Sequence, residues 1–92
     1  MTGEVTNNVA RQRYELAGEG GIAVAYYEPR GSAIALTHTV VPQKLQGQGL
    51  ASLLIKAALA DIRKRGLKVV PDCPFVARYI ERHPEERDLL VT

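Results

Sequence analysis

The sequence predicts an α+β domain built on a mixed sheet, and three features carry that prediction. Three apolar runs rich in alanine and β-branched residues follow one another between residues 13 and 41, separated by glycine-containing turns. A long apolar stripe at helical spacing follows over residues 50–65, and a short apolar strand at 67–70 comes next. Short turns favour an antiparallel meander, whereas a strand–helix–strand unit makes its two strands parallel.

The first three strands are bounded by turn residues. We expect the strands at 13–16, 22–27 and 32–41, with turns at 18–21 and 28–31. Alternation along the third strand predicts one shared face, formed by Ile34, Leu36, His38 and Val40.

The helix after residue 49 is the most regular segment. Its apolar residues recur at helical spacing, namely Leu50, Leu53, Leu54, Ala57, Ala58 and Ile62. The basic residues 63–65 complement its negative end, and Gly66 can adopt a left-handed cap. A second helix is predicted from about Pro74 to Arg82, with a further turn or two before Leu90. Its inward-packing residues are expected to be Phe75, Val76, Tyr79 and Ile80.

Length and composition restrict the possible functions. Ninety-two residues make a single domain over 1–92, and the polar, aperiodic residues 1–10 are expected to form a loose terminus. A net charge of +2, with the charges of residues 78–87 interleaved, favours a solvated surface over a nucleic-acid groove. No apolar run approaches the roughly 20 residues that span a bilayer. The single cysteine, and the lack of a basic and apolar leader at residues 1–4, lead us to expect a cytoplasmic protein. We expect it to bind neither nucleic acid nor membrane and to be a monomer or weak dimer.

The glycine loop at residues 46–51 is the strongest candidate for a binding site. It joins the third strand to the long helix, whose first amides lack intrahelical partners and lie at the positive end of the dipole. Gly47 and Gly49 remove side chains that would shield those donors, so an anion such as a diphosphate fits there. The loop also suits a simple strand-to-helix turn. It is neither a Walker A loop, which needs Gly-Lys-Ser/Thr, nor a dinucleotide fingerprint, which needs a third glycine.

The topology brings this loop close to the single thiol. The loop lies at the carboxyl end of one parallel strand, and Cys73 lies just past the carboxyl end of the other. Carboxyl ends of parallel strands share one edge of the sheet, where such sheets commonly bind ligands. A thiol and a phosphate-binding loop are therefore expected at the same edge.

Three blocks of the chain resemble a known family. Gln46-x-x-Gly49-x-Ala51 is similar to the Gln/Arg-x-x-Gly-x-Gly/Ala signature with which GNAT-superfamily N-acetyltransferases bind the pyrophosphate of acetyl-coenzyme A. The stretches 38–42, 70–76 and 83–84 resemble the very small single-domain members of that superfamily. The resemblance covers about residues 12–90.

The resemblance implies a GNAT-type βββαβα sheet in which two parallel strands splay apart and admit the pantetheine arm of acetyl-coenzyme A. It also implies that the backbone of Val40 and Val41 pairs with that arm. The pyrophosphate would lie on the residues that follow, namely Gln46, Gly47, Gln48, Gly49, Leu50, Ala51 and Ser52. The second substrate would be an amine that nothing in the sequence identifies.

Three side chains are candidates for the chemistry. Cys73 lies at a helix start, which favours the thiolate, whereas the charge of Asp72 opposes it. Its thiol would accept the acetyl group or protonate the departing thiolate of coenzyme A. Alternatively, Cys73 would be a buried apolar residue. His38 would be a general base or a hydrogen-bonded core residue. Tyr79 is a weaker candidate for the family's general acid, because Ile80 stands where that tyrosine is expected. Neither His38 nor His83 has partners at metal-ligand spacing, so no metal is predicted.

These observations predict an acetyl-coenzyme A-dependent N-acetyltransferase, by direct attack of the amine or through Cys73. Two alternatives remain at this level. One is an acyl-coenzyme A-binding module without efficient catalysis. The other is an interaction domain whose charged C-terminal helix contacts a protein.

Overall fold

The computed structural model describes residues 4–91. Its elements, in chain order, are β1 (Thr6–Asn8), β2 (Arg13–Gly18), β3 (Gly21–Arg30), β4 (Ala33–Val40), α1 (Leu50–Lys64), β5 (Lys68–Pro71) and α2 (Pro74–Arg82), with short 3-10 helices at Val9–Arg11, Gln43–Leu45 and Pro84–Leu89. The five strands form one sheet in the order β1-β2-β3-β4-β5. The first four are antiparallel and β5 is parallel to β4, which confirms the predicted mixed α+β sheet.

The N-terminal segment differs from the expected loose terminus. Residues Thr6–Asn8 pair antiparallel with β2, and the hydroxyl of Tyr27 donates to Oδ1 of Asn7 at 2.6 Å. The two asparagines have little intrinsic strand preference, so the pairing with β2 and the tyrosine contact stabilise the strand instead. The expectation for residues 1–3 lies outside the described residues.

One face of the sheet packs against both helices and forms the core. Tyr14 and Leu16 of β2 are buried there, and α1 contributes a stripe of fully buried side chains, Leu54, Ile55, Ala58, Leu59 and Ile62. Gly66 has a φ of 72° and ends α1 as predicted. Two expected core residues lie nearer the surface, since Leu53 is 48% and Phe75 39% exposed. Across residues 4–91, no helix combines the length and apolar character needed to cross a membrane.

A β-bulge interrupts the pairing of β3 with β4. Tyr26 pairs with His38, whereas Tyr27 pairs with Leu36, so Thr37 is an extra residue on β4. The hydroxyl of Thr37 donates to the Tyr26 carbonyl at 3.3 Å. A bulge of this kind bends its strand and changes which side chains share a face.

The bulge overturns the predicted face of the strand. Leu36 lies on the helix-covered face, but two residues beyond it His38 lies on the open face, where it pairs with Tyr26 and is exposed. Val40 is likewise on the open face and is 49% exposed. Thr39 takes the helix-covered face instead, so uninterrupted alternation assigned these residues to the wrong sides.

The two parallel strands, β4 and β5, separate halfway along β4. Their pairing runs from Ala33 with Lys68 to Leu36 with Pro71. The last link is the Cys73 amide, which donates to the Leu36 carbonyl at 2.9 Å. The chain then turns into α2, while β4 continues to Val40 along β3 alone. The gap that opens beyond Leu36 is the splay predicted for these strands.

Candidate functional site

The glycine loop has a backbone that only glycine adopts easily at two positions. Gly47 has a φ of 82° and Gly49 a φ of 73°, in the left-handed region. A Cβ built on either residue would meet no atom within 4 Å. The loop surface is therefore open, and small residues are required there by the backbone and not by crowding.

The amides of this loop are available to a ligand. Gln46 donates to Gln43 at 3.3 Å, and Leu53 closes the first turn of α1 on Gly49 at 3.2 Å. Between them, the amides of residues 47–52 donate to no acceptor among residues 4–91, and no side chain caps the helix. Free donors and the positive end of a 15-residue helix thus coincide at one open surface.

The two glutamines of the loop turn back onto their own backbone. Nε2 of Gln46 donates to the Val41 carbonyl at 3.2 Å, and Nε2 of Gln48 donates to the Lys44 carbonyl at 3.4 Å. These contacts fix the loop conformation and leave its amides to do any binding. They also engage the carbonyl of Val41, one of the two residues that the family resemblance assigned to the pantetheine arm.

Two grooves meet at the start of α1. The first, here the loop groove, has a volume of about 240 Å³ and is lined by Val41, Leu45, Gln46, Gly47, Gly49, Leu50, Ala51, Ser52 and Phe75. The second, here the helix groove, has a volume of about 180 Å³ and is lined by Ser52, Phe75, Arg78, Tyr79, Arg82 and His83. Because Ser52 and Phe75 line both, the grooves are contiguous.

Cys73 is the N-cap of α2 and lies beside the gap between β4 and β5. Its Sγ is 3.4 Å from Oγ1 of Thr39, and the residue is only 5% exposed. Burial raises the pKa of the Cys73 thiol, but the Thr39 hydroxyl and the amides of Val76, Phe75 and Thr39 outweigh burial, so the pKa is lowered overall. The contacts at this helix start therefore favour the thiolate form of Cys73, although little of its surface is exposed.

The other two candidate side chains are not brought to Cys73. His38 is exposed on the opposite face of the sheet. Tyr79 is buried in the helix groove, where its ring stacks on His83 with centroids 4.0 Å apart. Burial, followed by the charges of Glu86 and Glu85, raises the pKa of Tyr79, which keeps its hydroxyl protonated. Nδ1 of His83, the residue that caps the C-terminus of α2, donates to the Tyr79 carbonyl at 2.7 Å.

Sequence reasoning missed four residues that the structure places at these surfaces: Thr39, Phe75, Arg78 and Arg82. Thr39 carried no signal, because its approach to the thiol depends on the bulge. The two arginines lie four apart on one helix, a spacing that places them on the same face. Within the described part of the chain, no three His, Cys, Asp or Glu side chains form a group that could hold a metal ion.

Comparisons with known proteins agree on one family. The family profile described as GCN5-related N-acetyl-transferase matches residues 13–89. Protein NATD1 of Gallus gallus is 38% identical over 63 residues, which cover 67% of this chain and 57% of that protein. Protein NATD1 of Danio rerio is 31% identical over 75 residues, covering 80% of this chain and 68% of that protein. The chain thus spans little more than half the length of the chicken relative.

A solved structure supports the same assignment at the level of the fold. A GCN5-like protein from Staphylococcus aureus, determined by NMR, superimposes with a TM-score of 0.74 over 96% of this chain and 87% of that one. The two sequences are 23% identical, so this likeness concerns the fold alone. Together with the profile match over residues 13–89, it confirms the resemblance carried by the glycine loop. The chain belongs to the GCN5-related N-acetyltransferase family.

Proposed function

We propose that this protein transfers an acetyl group from acetyl-coenzyme A to an amine. The observation that carries the proposal is the row of free amides at residues 47–52, which lines an open groove close to the gap between β4 and β5. Family membership supports acyl transfer as the class of reaction. The reduced thiol of Cys73 beside the same gap supplies a reactive group.

The residues present fit both ends of the proposed substrate. The amides of residues 47–51 and the hydroxyl of Ser52 would hold the diphosphate, since the left-handed glycines keep the approach clear. Within the described residues, no strand pairs with β4 on the β5 side beyond Leu36, so the edge near Val40 would receive the pantetheine arm. Acetyl-coenzyme A, when bound, supplies an activated thioester carbonyl.

Two routes for the transfer are open to this chain. In the direct route the amine attacks the thioester carbonyl, a C–N bond forms, the C–S bond breaks, and coenzyme A leaves as a thiol. A base takes the proton from the amine, and an amide near Val40 or Val41 stabilises the oxyanion. His38 would act as that base for an amine that approaches from the open face of the sheet, where His38 is exposed.

In the second route the Cys73 thiolate attacks first. An acetyl–cysteine thioester forms as the C–S bond to coenzyme A breaks, and coenzyme A leaves as a thiolate that takes a proton from water. The amine then attacks the acetyl–cysteine, gives its proton to water or to a base, and Cys73 leaves as a thiolate. The lowered pKa of Cys73 supports this route, because a lower pKa increases the share of the nucleophilic thiolate.

Binding is tested by calorimetry and by thermal unfolding with acetyl-coenzyme A. Mass action predicts about 2.7 kcal/mol of stabilisation at a hundredfold excess over Kd. A protein that neither binds nor is stabilised contradicts the proposal and favours an interaction domain. A protein that binds but releases no thiol with any of a panel of amines is a binding module without catalysis.

The route is tested by intact-protein mass spectrometry after exposure to acetyl-coenzyme A without an amine. An added acetyl group on the wild type, absent in Cys73→Ser, supports the Cys73 route. Turnover by Cys73→Ser at the wild-type rate would establish direct attack. A cytoplasmic location and a monomeric or weakly dimeric state complete the proposal, the first supported by the single unpaired thiol.

A further inference from the structure

We propose that Arg78 and Arg82 bind the 3′-phosphate on the ribose of coenzyme A, so that this chain selects the 3′-phosphorylated form over 3′-dephospho-coenzyme A. The inference rests on the proposed function, because it concerns the nucleotide end of the same ligand. From the sequence alone, the charges of Arg78 and Arg82 were expected only to form part of a solvated surface.

The position of the two arginines carries the first part of the argument. They stand one helical turn apart on α2, roughly 6 Å along its axis, and both line the helix groove. That groove continues from the loop groove through Ser52 and Phe75. A nucleotide whose diphosphate lies on the loop amides therefore has its ribose within reach of this helix face.

The charge of this groove carries the second part. Among residues 4–91, neither Arg78 nor Arg82 forms an ion pair or a side-chain hydrogen bond. Five other arginines have partners: Arg13, Arg30, Arg63 and Arg65 contact carboxylates, and Arg87 contacts a carbonyl. In the described part of the chain, no carboxylate lines the helix groove, although the charges of Glu86 and Glu85 reach Tyr79. Two guanidinium groups without ion-pair partners among residues 4–91 thus line this groove, and their fork of donors matches phosphate oxygens.

The aromatic groups of the same groove fit the base of that nucleotide. The stacked rings of Tyr79 and His83 form a flat surface, and Phe75 is 39% exposed at the junction of the two grooves. Flat π-systems of this kind pack well against a purine ring. The groove therefore offers contacts to both the base and the phosphorylated ribose.

The test compares coenzyme A with 3′-dephospho-coenzyme A by calorimetry, on the wild type, the double variant Arg78→Gln/Arg82→Gln, and the control Arg11→Gln. Arg11 is exposed, forms no ion pair within the described residues, and lies at the other end of the chain. We expect the wild type to prefer coenzyme A by at least about fivefold, the upper range for one exposed ion pair. The double variant should bind both ligands within about twofold, and the control should match the wild type.

The possible failures are distinguishable. Equal binding of both ligands by the wild type overturns this inference and leaves the proposed function standing. Failure of the wild type to bind either ligand overturns both. A double variant that unfolds at the wild-type temperature yet weakens both ligands equally shows that the arginines act elsewhere on the nucleotide, which also overturns the inference. Salt should reduce the wild-type preference, because the interaction is between exposed charges.

Discussion

The Sγ atom of Cys73 lies 3.4 Å from Oγ1 of Thr39, and the bulge in β4 is the reason that it does. With uninterrupted alternation, Thr39 would face away from the side that carries Leu36 and the helices. The extra residue at Thr37 turns it back to that side. One inserted residue therefore brings a hydroxyl to the thiol at the point where β4 and β5 separate.

Replacing Thr39 by valine should raise the pKa of Cys73. Valine keeps the branched shape but removes the hydroxyl that favours the thiolate, while burial continues to favour the thiol. The pKa is measured from thiolate absorbance near 240 nm as a function of pH, with the Cys73→Ala variant subtracted to remove the tyrosines. Thr37→Val is the matched control, since the Thr37 hydroxyl donates to the Tyr26 carbonyl and not to the thiol. Equal titration curves for wild type and Thr39→Val would contradict the assigned role of the hydroxyl.

Replacing Gly49 by valine should abolish binding of acetyl-coenzyme A. A β-branched residue at a φ of 73° is strained by about 1–3 kcal/mol, and its side chain would project into the open space above the free amides. Binding is measured by calorimetry at a temperature where the variant is folded. The loss of affinity should greatly exceed the loss in a variant that is destabilised elsewhere in the protein.

Gly66→Val provides the control for backbone strain. Gly66 has nearly the same φ, 72°, and the same open surroundings, but it lies at the far end of α1 from the loop. This variant should lose comparable stability and keep its affinity. If both variants bound equally well, or both failed to bind, the loop would have no special role in recognition.

The helices and the order of the central strands were predictable because their signals are local, although β3 extends to Arg30 through most of the turn predicted at 28–31. The apolar stripe of α1 ends at Gly66, and α2 begins at Pro74 and ends at Arg82 as predicted. Pro74 fixes the backbone at a helix start, and Gly66 permits the left-handed φ that ends a helix; neither effect depends much on the rest of the chain. The glycine loop was predictable for the same reason.

The remaining features depend on contacts between distant segments. Nothing in the alternating run around Thr37 marks it as an extra residue, because the register with β3 alone defines the bulge. Strand β1 forms from polar residues only because β2 offers it partners. The position of His38 followed from the bulge, so its predicted face was wrong. The arginines of α2 look like ordinary surface charges until the grooves beside them are seen.

Replacing Tyr14 by phenylalanine should destabilise the protein by about 1.5 kcal/mol. The buried Tyr14 hydroxyl donates to Oδ2 of Asp61 at 2.6 Å, linking β2 to α1 through a charged acceptor. The free energy of unfolding is measured in urea at pH 7. Tyr27→Phe is the comparison, because the Tyr27 hydroxyl donates to a neutral amide oxygen of Asn7 at the same distance, and a neutral bond contributes about 1 kcal/mol. An unchanged stability in Tyr14→Phe would show that water replaces the contact at no cost.

The Tyr14 contribution should also disappear at high pH. Burial, and then the bond to Asp61, raise the pKa of Tyr14 above its ordinary value of 10.0. A group whose pKa is raised on folding stabilises the folded state fully at pH values below its pKa in the unfolded chain. The stabilisation then decreases as pH rises past that pKa. The difference in unfolding free energy between wild type and Tyr14→Phe should therefore be constant from pH 7 to about 9 and shrink above about 10. A difference that grows above pH 10 would contradict the direction of this shift.

Replacing Arg63 by glutamine should loosen the C-terminal segment without affecting the rest of the sheet. Arg63 of α1 contacts Asp88 at 2.6 Å and Glu86 at 3.0 Å, and so holds the 3-10 helix Pro84–Leu89 against the body of the protein. The Val91 amide, which donates to Val69 at 3.2 Å just beyond that helix, reports on the attachment. Its hydrogen exchange should accelerate in Arg63→Gln, and high salt should have the same effect on the wild type by screening the exposed charges.

Arg65→Gln is the matched control for that exchange experiment. Arg65 lies two residues along the same helix, but its ion pair is with Asp61 of α1 itself and not with the C-terminal segment. Its replacement should leave exchange at Val91 unchanged, because no contact to residues 84–91 is lost. If both variants accelerated exchange equally, the segment would be responding to the overall charge of the helix end. If neither did, the burial of Leu89 would be sufficient to hold the segment in place.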